Sequence, residues 1–199
     1  MNVPRSQTID LQDGDALIIV DVQNDFLPGG ALAVRNGDEV VPALNTYIDL
    51  FLTEGLPIIA TRDWHPANHC SFQAQGGPWP PHCIADTHGA RFAAGLRLPP
   101  DTAVISKAVA PDKDAYSGFA GTELEAVLRS HGVRRVFVGG LATDYCVLNT
   151  VRDALENHYQ VYVLGDAIRA VNVHPGDGDK AMQDMIVKGA MIITIEHLA

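Results

Sequence analysis

Ala16 to Val20 (A-L-I-I-V) runs five residues without a polar side chain. A strand with one wet face alternates apolar and polar residues. An unbroken apolar run needs cover on both faces, as in a parallel sheet. Similar short runs recur at Pro57 to Thr61, Thr102 to Ser106, Arg135 to Val138, Gln160 to Leu164 and Ala190 to Ile195. Between them lie stripes of helical period. Asp38 to Glu54 carries Val40, Val41, Leu44, Tyr47, Ile48, Phe51 and Leu52 on one face, and Gly55 ends it. Thr122 to Ser130 opens with Thr122 and Glu125 at capping-box spacing. Val147, Val151, Ala154 and Leu155 mark a third helix, and Ala181, Met182, Met185 and Ile186 a fourth, over Asp177 to Val187. Strands alternating with helices predict an α/β fold: a three-layer α/β/α arrangement on a six-stranded parallel sheet. The chain's 199 residues suffice for one such domain spanning 1–199, with Met1 to Gly14 as a polar lead-in.

In a sheet of this kind ligands bind outside the carboxyl ends of the strands. Asp21, Asp63, Lys107 and Cys146 all fall just past a predicted strand end. Singly, each reads as a turn residue, a solvated lysine or a small buried thiol. Together they read as one rim. Cys146 lies in V-G-G-L-A-T-D-Y-C-V-L-N-T (Val138 to Thr150), where Gly139 and Gly140 are expected to break a strand. Thr143 and Asp144 are expected to cap the next helix. Cys146 would then sit in a first helical turn, whose N–H groups and dipole lower a thiol's pKa and can hold an oxyanion.

From Trp64 to about Gly89 the chain is irregular, and a segment this long in a compact domain is usually functional. It brings His65, His69 and His82 close in sequence to Asp63. Imidazole and carboxylate donors suit one divalent transition metal: zinc, iron or manganese. The competing reading is ordinary hydrogen-bonded loop histidines, and that is the reading kept for His88, His131, His158, His174 and His197. Cys83 would make the site softer, but its neighbour His82 is the better ligand.

A net charge of -10 argues against nucleic acid and anionic membrane as partners. No apolar run approaches a membrane span, and Met1 to Asp15 lacks the apolar core of a signal peptide. Three cysteines without a framework pattern suit reduced thiols in a cytoplasm.

Several motifs occur in one order along essentially the whole chain. They are I-I-V-D-V-Q-N-D-F (Ile18 to Phe26) with P-G-G-A-L-A-V behind it, D-W-H-P-A-N-H-C-S-F (Asp63 to Phe72) and W-P-P-H-C (Trp79 to Cys83). Ser106-Lys107 with the later D-A-Y-S-G-F, ending at Phe119, and G-L-A-T-D-Y-C-V (Gly140 to Val147) complete the set. By these motifs the chain resembles the nicotinamidase/pyrazinamidase family of isochorismatase-like, Rossmann-like cysteine hydrolases. The resemblance implies hydrolysis of nicotinamide to nicotinate and ammonia through a cysteine thioester, in NAD salvage, with pyrazinamide as a further substrate. It implies Cys146 as nucleophile, Asp21 as the acid/base beside it and Lys107 as third member. It further implies a cis peptide between Leu141 and Ala142, an oxyanion hole from the Ala142 and Cys146 N–H groups, and a metal at Asp63, His65, His69 and His82 that receives the pyridine nitrogen. Phe26, Trp79, Tyr116 and Leu141 are implied around the substrate ring.

Ala108 departs from the pattern, since many relatives have Gly after the lysine, and the loops Ala108 to Asp114 and Gln73 to Pro78 differ among relatives. The alternatives are a metal-independent amidase acting on a carbamoyl or ureido amide, an isochorismatase cleaving a vinyl ether without a cysteine nucleophile, and a binding protein on the same fold. Cys146 and the histidine segment speak against the second, and a binder needs no Asp21, Lys107 and Cys146 together. A homo-oligomer is neither required nor excluded.

Overall fold

The computed structural model describes residues 8–198; the first half of the expected lead-in lies outside them. β1 (Asp15–Val20) is buried at every position. β2 (Ile58–Asp63) and β3 (Ala103–Lys107) lie on one side of it; β4 (Arg135–Leu141), β5 (Gln160–Arg169) and β6 (Met191–Ile193) lie on the other. The order is β3-β2-β1-β4-β5-β6, and every pairing is parallel. Chain order reverses direction between β1 and β4, the point at which such sheets open a crevice for ligands.

The continuous apolar run of β1 now has its cause. Leu17 and Ile19 face one layer, with Leu44, Tyr47, Ile48 and Phe51 of α1 (Val40–Thr53). Ala16, Ile18 and Val20 face the other, with α2 (Leu124–Ser130), α3 (Leu148–Glu156) and α4 (Asp177–Lys188). Each face loses its apolar surface to helices, at about 25 cal/mol per Å². None of the helices among the described residues is long and apolar enough to cross a membrane.

Five local expectations are corrected. Gly139 and Gly140 do not break their strand: β4 continues to Leu141, pairing Gly139 with Ile19 and Gly140 with Val20. Gly140 has φ +125°, and a Cβ there would stand 2.1 Å from the Val20 carbonyl oxygen. The glycines let two backbones close up rather than ending a strand. β5 likewise runs past Gly165-Asp166 to Arg169, with a register shift against β4. β6 stops at Ile193, and Ile195–His197 is a 3-10 turn.

Neither helix start is capped as expected. Thr122 Oγ1 accepts the Leu124 N–H at 3.2 Å, but Glu125 turns to Arg129 instead of reaching back, so no capping box forms. Thr143 to Val147 is one π-type turn flanked by Ala142, without a side-chain cap. Asp144 instead accepts the N–H groups of Val171 and Asn172, at 2.9 and 2.8 Å, tying that turn to the end of β5.

Candidate active site

Asp21 follows β1 directly, Asp63 ends β2 and Lys107 ends β3. Cys146 lies in the π turn after β4, on the other side of β1. All four are buried. Lys107 Nζ is the hub. It pairs with Asp21 Oδ2 at 2.9 Å and with Asp63 Oδ1, donates to the Ala115 carbonyl at 3.2 Å, and lies 3.4 Å from Cys146 Sγ. Thr61 Oγ1 donates to Asp21 Oδ1 at 2.7 Å. Asp21 Oδ2 is buried, and the Lys107 ammonium is its ion-pair partner. Oxygen atoms of Asp21 and Asp63 and the Cys146 sulfur lie within 4.8 Å of one another. Asp21 itself holds φ +48°, a left-handed conformation that non-glycine residues adopt mainly where the surroundings enforce it.

Two carboxylates and one ammonium leave this cluster with a surplus negative charge. Burial opposes the Lys107 charge, but Asp21 and Asp63 outweigh it and hold the lysine well above its ordinary pKa. Burial raises Asp21; Lys107 pulls it back and Asp63 adds to the rise. Burial also pushes the Cys146 thiol well above its ordinary range, against the pull of Lys107 and with the added push of Asp21 and Asp63. These surroundings work against the acidified thiol expected of a helix start. A raised pKa favours the protonated thiol, and the Asp21 carboxylate beside the sulfur is the acceptor available to take its proton.

The histidine segment stays irregular between Trp64 and Gly89, with one 3-10 turn at Gln73–Gln75. His65, His69 and His82 are buried, whereas His88 is exposed. His65 Nδ1 donates to the His82 carbonyl at 3.0 Å and His82 Nδ1 to the Pro80 carbonyl at 2.8 Å. A carbonyl only accepts, so each ring carries its proton on Nδ1 and offers a bare Nε2. Donor atoms of Asp63, His65 and His82 lie within 4.8 Å of one another. Burial, with His82, His69 and Lys107 adding to it, pushes His65 down to about 3, so it is a neutral imidazole. A buried carboxylate beside two imidazoles oriented through Nδ1 fits a divalent transition metal. Cys83 joins no such grouping; burial and nearby carboxylates keep its thiol protonated.

His69 is set apart from the expected set of four. It lies against His65, with ring centroids 4.3 Å apart, and groups with His65 and Asp114 rather than with Asp63 and His82. Its Nε2 is engaged by the Lys113 carbonyl at 3.1 Å and its Nδ1 by Ser71.

Both clusters open on one cavity of about 450 Å³, its open mouth included. Phe26, Trp79 and Tyr116 line it, beside Asp63, His65, His82, Ala142 and Cys146. Trp79 Nε1 donates to the Tyr116 hydroxyl at 3.0 Å. Leu141 is the exception: its side chain belongs to the core on the α1 face and does not line the cavity. The Leu141–Ala142 peptide is cis, and the Ala142 N–H meets no acceptor among the described residues. Sequence reasoning missed Tyr145, whose ring packs edge-on against Trp79 at 5.1 Å, and Thr61, which orients Asp21. Tyr145 was visible as the neighbour of the cysteine; nothing in the sequence distinguished Thr61 from an ordinary strand threonine.

The isochorismatase domain family matches residues 15–197. A nicotinamidase from Escherichia coli is 41% identical over 201 residues, covering 90% of this chain and 94% of that protein. Among solved structures, a Pyrococcus horikoshii pyrazinamidase in complex with zinc superposes with a TM-score of 0.88 at 49% identity, covering 92% of this chain and 99% of that one. PnC1 from L. infantum in complex with nicotinate gives 0.88 at 37% identity, covering 96% and 98%.

Proposed function

The chain belongs to the isochorismatase-domain family, and from that premise we propose that it is a nicotinamidase, hydrolysing nicotinamide to nicotinate and ammonia for pyridine-nucleotide salvage. The observation that carries this reading is the sharing of Asp63: the sulfur-containing cluster and the imidazole cluster meet at one carboxylate and face one aromatic-walled cavity. Pyrazinamide bears the same carboxamide on a nitrogen heterocycle and is a second expected substrate.

Phe26, Trp79 and Tyr116 flank the ring, with Tyr145 beside them. Asp21 Oδ2 takes the Cys146 proton as the sulfur attacks the amide carbon. The oxyanion is held by the Ala142 and Cys146 N–H groups. Asp21 then delivers the proton to the departing nitrogen, ammonia leaves, and a thioester remains on Cys146. Water attacks the thioester while Asp21 takes a proton from it. Collapse of the second oxyanion releases nicotinate, and the proton returns to sulfur. Lys107 stays charged throughout, holding the Asp21 and Asp63 carboxylates together. Asp63, His65 and His82 would hold the divalent metal, with His69 completing the set when its Nε2 leaves the Lys113 carbonyl. Bound there, the ion supplies a Lewis acid that fixes a ring nitrogen and so positions the carboxamide.

The chain is read as one catalytic domain. Free thiols at Cys70, Cys83 and Cys146 suit a reducing cytoplasm. The test is product analysis with metal-replete protein: nicotinate and ammonia are expected in equal amounts from nicotinamide. Turnover of a carbamoyl or ureido amide with nicotinamide left intact would instead favour the metal-independent amidase.

A further inference from the structure

The first motif, Ile18 to Phe26, contains three consecutive polar residues that the reaction above does not use. Gln23 sends its side chain to the backbone flanking the histidine loop, and Asn24 and Asp25 send theirs to the backbone within it. Gln23 is fully buried; its Oε1 accepts the Asp63 N–H at 2.8 Å, and its Nε2 donates to the Asp63 carbonyl at 2.8 Å and the Ala90 carbonyl at 2.9 Å. Asn24 Nδ2 donates to the His88 carbonyl at 2.9 Å. Asp25 Oδ2 accepts the Cys83 N–H at 2.7 Å, one residue after His82. The backbones add to this: Asn24 N–H donates to the Arg91 carbonyl and Asp25 N–H to the Gly89 carbonyl, at 2.9 and 3.0 Å. The loop that carries the imidazoles has almost no regular structure of its own, so these contacts fix both its beginning, at Asp63, and its end, from Cys83 to Arg91.

We infer that Gln23 to Asp25 is the positioning element of the metal-binding loop, and that Asp25 sets the place of His82 through the Cys83 N–H. This rests on the reading of Asp63, His65 and His82 as ligands. The segment begins two residues after Asp21, so the reacting carboxylate and the imidazoles are registered to one another through a few covalent bonds and hydrogen bonds. Partners that orient metal ligands commonly affect affinity by about 10- to 100-fold.

Two substitutions separate positioning from folding. Asp25→Ala deletes the acceptor. Gly89→Ala keeps it but places a Cβ 2.0 Å from the present Asp25 Oδ2, and the flexible carboxylate must move away. Zinc affinity is measured by competition with a chromophoric chelator, alongside melting of the zinc-free proteins. Both variants are expected to bind zinc about 10- to 100-fold more weakly, and Asp25→Asn, which retains an acceptor for Cys83, to stay within about threefold of wild type. Asp25→Ala and Gly89→Ala proteins that bind zinc like the wild type, even with lower melting temperatures, would overturn the inference and leave the proposed function standing. A wild-type protein that binds none of zinc, iron and manganese would overturn both the inference and the reading of Asp63, His65 and His82 as ligands.

Discussion

Asp21 and Lys107 stand at the ends of β1 and β3, with Cys146 one turn past β4; His65 and His82 stand on a loop with almost no regular structure. The first group is placed by the sheet. Parallel strands in fixed register bring residues over a hundred positions apart to one rim, and buried charges lock them there. The second group is placed by side chains of a neighbouring segment acting as substitutes for a sheet ladder. The two share Asp63 and one cavity, so the difference in construction becomes a difference in what a mutation damages. Injury to the strand-end cluster costs stability and rate together. Injury to the loop costs ligand binding first.

The largest effect on this contrast is expected from Lys107→Met. It leaves the buried Asp21 and Asp63 carboxylates facing each other without a cation. Breaking a buried pair in this way destabilises by about 3–5 kcal/mol, and ammonia release should fall by more than about a thousandfold. A urea midpoint near wild type would show that the lysine does not hold the strand ends together. Gly140→Ala attacks the same side through the backbone: the added Cβ meets the Val20 carbonyl, at a φ that alanine avoids. A loss of about 3 kcal/mol is expected in denaturant unfolding. An unaltered midpoint would contradict the close approach of β1 and β4.

The Gly139-Gly140 pair also marks the limit of what the sequence reveals. Two glycines after an apolar run look like a break, and only the position of β1, more than a hundred residues away in sequence, makes them part of a strand. Asp144 misleads in the same way, because its acceptors' partners, Val171 and Asn172, are supplied by a distant segment. What could be read was local. The apolar runs located β1, β2 and β3 and pointed to Asp21, Asp63 and Lys107 at their ends. The spacing of His65 and His82 from Asp63 pointed to a candidate donor set, whereas the separation of His69 depends on where the Lys113 carbonyl falls. The acidity of the thiol was not legible because burial and two carboxylates oppose it, and burial is a property of the whole fold.

Around the cavity wall and just past β3 the expected effects are smaller and of another kind. Tyr116→Phe removes the acceptor for the Trp79 indole N–H while keeping both rings. KM for nicotinamide should rise by about threefold to tenfold with kcat nearly unchanged, in line with the loss of one hydrogen bond. A fall in kcat alone would place Tyr116 in the chemistry rather than in the wall. The smallest effect should be a gain. Ala108 follows Lys107 at φ +54°, where alanine is disfavoured and glycine is not. Ala108→Gly is expected to raise stability by about 0.5–1 kcal/mol, read as a higher urea midpoint. A lower midpoint would mean that the alanine methyl, buried at this position, contributes more by packing than its backbone conformation costs.

The central claim is that the Cys146 sulfur performs the chemistry in a cavity shared by both clusters. Ammonia release from nicotinamide by wild type and Cys146→Ala, both metal-replete, tests it most directly. The account predicts release by the wild type and a loss of at least about ten-thousandfold in the variant, which keeps the cavity and the donor set but has no nucleophile. A Cys146→Ala protein that released ammonia within about tenfold of the wild-type rate would contradict it, since bond cleavage would then need no thioester.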